Sequence, residues 1–253
     1  MFLINKLAQF LTSIMLVLTI EIIMLNENLL WIFGSLSAVL VFFALLMFNR
    51  WKLRPGFWGL VISPLIYVIS SISFSLFLNK GWTLHLFAVF SGIVLFLYLG
   101  RILDFKFYPA RYQPYSLENF SWYLNILTVF LFCSFVYAMV VFLKINSLFL
   151  ALTVLLVSCL LTYQLFWVNK IKFSDGRIFV FSISFILVEL FGALYYLPTS
   201  YFVNGLVMTI AFYLMTGLAR FFLLGSLDKK RIINFVIISA VCFAVILLTA
   251  QWI

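Results

Sequence analysis

The chain has 253 residues, of which 66% are apolar and only 9% charged, with a net charge of +9. A soluble domain of this length carries about a quarter charged residues, so a soluble globular fold is excluded, and the long continuous apolar runs are unlike the short alternating segments of a transmembrane β-barrel. The basic surplus raises the question of nucleic acid, but no basic stretch has the length or aromatic interleaving for it. Nucleic acid is not an expected partner.

In chain order, nine apolar runs fall at roughly 7–25, 29–48, 57–78, 82–102, 121–143, 147–168, 178–197, 201–223 and 232–252. Each has about the 20 residues that cross a hydrocarbon layer about 30 Å thick. The expected fold class is therefore an all-α integral membrane protein, a polytopic bundle of nine transmembrane helices. The first run follows Lys6 like the apolar part of a signal peptide. It contains Glu21, however, and leads into Asn26-Glu27-Asn28 with no small-residue cleavage site, so a retained first helix is expected. The second run offers Gly34-x-x-x-Ala38 as a small-residue packing face, and Pro64 in the third predicts a kink that turns backbone carbonyls toward neighbours. The stretch Asp104 to Phe120, with Pro109, Pro114, Tyr108, Tyr112 and Tyr115, is either an amphipathic segment at headgroup level or an ordinary connector.

The alternation of the runs sorts the basic residues. Lys6, Arg50, Lys52, Arg54, Arg101, Lys106, Arg111, Lys170, Lys172, Arg177, Arg220, Lys229, Lys230 and Arg231 fall on one side, and only Lys80 and Lys144 on the other. Cytoplasmic loops collect Lys and Arg, so the expected orientation is N-terminus inside and C-terminus outside, in a cell membrane of the bacterial inner-membrane type. The positive side also attracts anionic lipid headgroups, which makes membrane lipids expected partners.

An internal repeat is visible in the polar positions. Asn49-Arg50-Trp51-Lys52-Leu53-Arg54-Pro55-Gly56 matches Asn169-Lys170-Ile171-Lys172-Phe173-Ser174-Asp175-Gly176 at an offset of about 120 residues. Shifted by one less, Ser63 falls on Ser182, Trp82 on Tyr201, Gly100 on Ala219 and Arg101 on Arg220. The expected organisation is a first four-span repeat at 1–103, an inner-face connector at 104–120, a second repeat at 121–224 and a ninth span at 225–253. A unit with an even number of spans makes the two copies parallel.

Candidate chemistry follows from this register. Ser63, Ser70 and Ser73 share a helical face, and their counterparts are Ser182, Glu189 and Gly192. Glu189 falls near the centre of its apolar run, where a charge costs at least several kcal/mol and the carboxyl is protonated or partnered. It is either a site for a proton, a cation or a polar headgroup, or a neutral acid locking two helices. Glu21, His85 and Asn204 lie in the same outer half and would line a polar pocket if the spans converge. Arg101 and Arg220 end their runs on the inside, as weak candidates for lipid phosphate or as simple anchors. Cys133, Cys159 and Cys242 match no metal or redox spacing, and no nucleotide, metal or acyl-transfer motif is present. No metal and no cofactor is expected, and catalysis has no sequence support.

Three functions remain. One is a small permease or carrier for a small or lipophilic solute, using Glu189. Another is a non-catalytic membrane subunit or lipid-binding scaffold, with a homo-oligomer or a membrane-protein partner. The third is an intramembrane enzyme on a lipid-linked substrate, with Arg101 and Arg220 holding phosphate.

Overall fold

The computed structural model describes residues 2–52, 55–108, 112–197 and 199–249. Arg54, Pro109, Arg111 and Trp252 therefore lie outside the described residues. Nine long helices occur among those described: α1 (Phe2–Leu25), α2 (Leu30–Phe48), α3 (Pro55–Ser75), α4 (Trp82–Phe107), α5 (Ser116–Leu143), α6 (Ser147–Val168), α7 (Phe173–Tyr195), α8 (Tyr201–Leu223) and α9 (Lys229–Thr249). Each is long and apolar enough to cross a membrane. The chain is a polytopic all-α membrane protein.

The helices outrun the apolar runs at several ends. α4 continues to Phe107 and α5 begins at Ser116, so only 108–115 separate them instead of the whole of Asp104 to Phe120. The reason is that backbone hydrogen bonding does not stop where apolar side chains stop. Asp104 and Lys106 are compatible with a helix, and the turn comes only at Tyr108, which precedes Pro109 and leaves helical geometry (φ −131, ψ 63). On the far side Tyr112 donates its hydroxyl to Glu118 Oε2 at 2.8 Å. Partial burial and that carboxylate both raise the Tyr112 phenol above its ordinary range, so it stays a donor at any physiological pH.

Two turns close in the same way. Asn49 caps α2, Arg50 takes the left-handed conformation (φ 54), and the Trp51 N–H reaches back to the Leu46 carbonyl at 2.9 Å. Asn169 caps α6, Lys170 is left-handed (φ 60), and the Ile171 N–H reaches the Phe166 carbonyl at 3.0 Å. Both satisfy the last helical carbonyls with the six-to-one bond of a Schellman ending. These are the segments that match each other in sequence.

The chain divides into two compact units, Met1–Thr128 and Val129–Ile253. In the first, α1 packs on α4, α2 and α3, and α2 packs on α3. The α1–α4 seam uses small residues. A side chain at Gly92 would meet the Ser13 carbonyl at 3.2 Å, one at Gly100 would meet Gln9 Nε2 at 2.8 Å, and Gln9 donates to the Phe96 carbonyl at 2.7 Å. Close backbone approach of this kind is how membrane helices gain packing without a hydrophobic drive between them. A side chain at Gly34 would meet nothing within 4 Å, so no close helix approach is made at that glycine, while Gly34 and Ala38 are both half-buried. In the second unit α7 packs on α6 and α8, and α9 packs on α8. Here the close approach is at Gly205, where a side chain would meet the Ser134 backbone nitrogen at 3.0 Å.

Candidate functional site

The serine face of α3 is buried. Ser63 and Ser70 have no exposed surface, and Ser63 donates to Asn125 Oδ1 on α5 at 2.6 Å. Tyr67, one turn along the same helix, donates to the Ser91 carbonyl on α4 at 3.2 Å. Tyr98 on α4 pairs with the Ser121 hydroxyl on α5 at 3.3 Å. Thr128 donates to the Leu124 carbonyl at 2.7 Å. Tyr67, Tyr98, Ser121, Asn125 and Thr128 are all buried. A polar seam thus runs between α3, α4 and the first half of α5, inside helices whose other faces are apolar. The Ser70 hydroxyl, buried on the same face of α3, has no hydrogen-bond partner among the described residues.

Pro64 sits within α3. It lacks an N–H, so the Leu60 carbonyl loses its regular partner at the level of the seam. Pro64 lies on the helix that carries the serines.

Glu21 and His85 come together at the opposite end of the first unit from Lys6. The His85 Nδ1–H donates to the Glu21 carboxylate, at 2.9 and 2.8 Å from its two oxygens, with both side chains partly buried. Close by in sequence, Lys80 and Glu27 form an exposed ion pair at 2.7 Å. This end of the unit therefore has its polar side chains joined in pairs.

The second unit treats its candidate residues differently. Ser182 and Glu189 are exposed on α7, on a stripe with Ile178, Phe181, Phe185, Ile186 and Tyr196. Among the described residues Glu189 has no hydrogen bond or ion pair, and the space over Gly192, one turn on, is open. α7 begins at Phe173, so Glu189 stands about 7 Å from the middle of the helix and about 9 Å inside its C-terminal end, at 1.5 Å per residue. Asn204 is buried in the first turns of α8 and accepts from the Thr199 hydroxyl at 2.5 Å. It is turned inward, and Glu189 is turned outward.

Of the two arginines, Arg101 is half-buried with its guanidinium 5.1 Å from the Phe120 ring centre, and Arg220 is buried with its guanidinium 5.6 Å from that of Phe221. Both have the geometry of a cation packed on a ring. The structure thus unites Ser63 and Ser70 in one seam and Glu21 with His85 in one pair, while Ser182 and Glu189 share an outward stripe.

Several of the residues that build the seam were not singled out from the sequence, namely Asn125, Ser121, Thr128, Tyr67, Tyr98 and Ser91. A signal was there. Ser121, Asn125 and Thr128 recur at i, i+4 and i+7, the spacing of one helical face.

No curated protein and no solved structure matches the chain. A family model does match, over residues 22–249, nearly the whole of the chain. The chain belongs to that family, DUF5656, described as a protein of unknown function.

Proposed function

We propose that the protein is a non-catalytic membrane subunit that assembles in the plane of the membrane, with the exposed stripe of α7 packing on the same stripe of a second copy. The observation behind this is Glu189, a carboxyl well inside an apolar helix, exposed and without a partner among the described residues of its own chain. A lipid-facing charge at depth is expensive, so such groups face protein or water and pair with one another. A two-fold axis along the membrane normal sets each Glu189 at the same depth as its mate, where one protonated carboxyl donates to the other. Gly192 leaves room for the close approach that polar groups need between membrane helices.

The test is single-molecule photobleaching of the labelled protein in liposomes at graded density. The wild type is expected as dimers, Glu189→Gln as dimers because an amide still hydrogen-bonds, and Glu189→Leu and Gly192→Ile as monomers of unchanged thermal stability. Dimers that survive both of the last two substitutions overturn the proposal.

A carrier has one observation in its favour, the buried hydroxyl seam of the first unit with its unpartnered Ser70. The two functions part over water. In a background lacking Cys133, Cys159 and Cys242, a carrier that opens to water would let a membrane-impermeant thiol reagent label Ser70→Cys, whereas a packed subunit would leave it unlabelled.

For orientation, the bias of Lys and Arg supports placing the end that carries Lys6, Arg50, Lys52 and Lys106 in the cytoplasm of a bacterial cell. The matched Asn49–Trp51 and Asn169–Ile171 turns likewise support a duplication as the origin of the two halves.

A further inference from the structure

We infer that the first unit holds a phosphate-binding site between the end of α2, the start of α3 and the end of α4. A cavity of about 380 Å³ lies there, with Asn49, Arg50, Lys52, Gly56, Lys106 and Phe107 among its walls. Three of its lining residues are cations and none is acidic. The neighbouring cavity between α1 and α4, about 420 Å³, has both Lys6 and Asp104 in its lining, so its charges are balanced where those of the first are not.

Two of the cations, Arg50 and Lys106, are held in place by structure the sequence builds locally. Arg50 is carried round the end of α2 by its left-handed conformation, and its guanidinium rests 5.8 Å from the Phe107 ring centre. Lys106 donates to Asn49 Oδ1 at 3.0 Å. The same Asn49 side chain donates from Nδ2 to the Lys52 carbonyl. One amide thus joins the Lys106 ammonium at the last turn of α4 to the Lys52 backbone in the turn after α2. Surface lysines normally lose side-chain freedom when they bind an anion, and part of that cost is met here before any ligand arrives.

A cluster of Lys and Arg at the end of membrane helices attracts anions, and a guanidinium beside ammonium groups suits the tetrahedral, multiply charged oxygen set of a phosphate. The group is either the headgroup phosphate of an anionic phospholipid or that of a soluble phosphate. The site is independent of α7, so it stands whether or not the chain dimerises.

The experiment is native mass spectrometry of the full chain in mild detergent, titrated with phosphatidylglycerol, with phosphatidylcholine, and with inorganic phosphate as competitor. Lys52→Gln/Lys106→Gln is compared with Lys229→Gln/Lys230→Gln at the start of α9, and Asn49→Ala serves as the positioning variant. The expected result is an anionic-lipid adduct weakened about 30-fold by the cavity pair, for two charges near the membrane surface. The α9 pair should leave it unchanged, and Asn49→Ala should weaken it by a smaller factor with all charges retained. Phosphatidylglycerol bound in the presence of millimolar phosphate assigns the site to lipid, and adducts lost to the competitor assign it to a soluble phosphate. Equal losses from both pairs, or no adduct with either probe, overturn the inference. A melting temperature that is unchanged in the variants guards against unfolding.

Discussion

Two helical faces that align in sequence, one on α3 and one on α7, meet opposite fates. On α3 the face carries Ser63 and Ser70, both buried, with Ser63 bonded to Asn125 on α5. On α7 the corresponding positions, Ser182 and Glu189, are exposed. The difference lies in the fifth helix. Its first half brings Ser121, Asn125 and Thr128 to the serine face. Its second half meets α7 and α8 elsewhere, through Tyr137, which donates to the Phe191 carbonyl at 3.1 Å, and through Ser134 against Gly205. Residues that share a register therefore need not share a role. Buried polar groups hold a unit together, and exposed ones are available to something outside it.

Exchanging the two faces gives the largest effect. Ser70→Glu places a carboxyl in a seam with no free donor charge, and a loss on the order of 3 kcal/mol is expected. Glu189→Ser should change monomer stability by less than about 0.5 kcal/mol, since an exposed position carries few contacts. Chemical unfolding in detergent measures both, and similar values would remove the distinction between the faces. Next come the glycines. Gly205→Leu drives a side chain into the Ser134 backbone and should cost about 1–3 kcal/mol or prevent folding. Gly192→Leu meets open space, so the monomer should melt unchanged. Smaller again is the pair Ser63→Ala and Ser182→Ala. The first removes the hydrogen bond to the Asn125 carbonyl oxygen and should cost about 1 kcal/mol, while the second should be silent.

How much of this was legible beforehand depended on the kind of information involved. The number of spans was legible because each is an unbroken apolar run. The helix ends at Phe107 and Ser116 were not, because hydropathy marks the hydrocarbon layer and helical hydrogen bonds continue past it. The Ser63–Ser70 face was visible as an i, i+7 spacing, but its burial and the exposure of Ser182–Glu189 were not. α7 is apolar around most of its circumference, so its pattern does not say which side meets protein. The partnership of Glu21 with His85 spans 64 residues and depends on α1 lying against α4. The clue to that contact was the face His85, Gly92 and Gly100, at spacings of seven and eight, opposite Gln9 and Ser13.

That pair is also where the smallest effect should appear. Glu21 and His85 are each partly exposed at the end of the α1–α4 seam, so screening and side-chain freedom offset much of their attraction. A double-mutant cycle of Glu21→Gln and His85→Ala should give a coupling of about 0.2–1 kcal/mol in unfolding free energy. The α1–α4 seam would then be held mainly by the Gly92 and Gly100 approaches. A coupling several times larger would mean that the pair lies in a less aqueous setting than its exposure implies. The first unit would then depend on a polar lock at this end as well as on its hydroxyl seam, and its contrast with the open face of α7 would be sharper still.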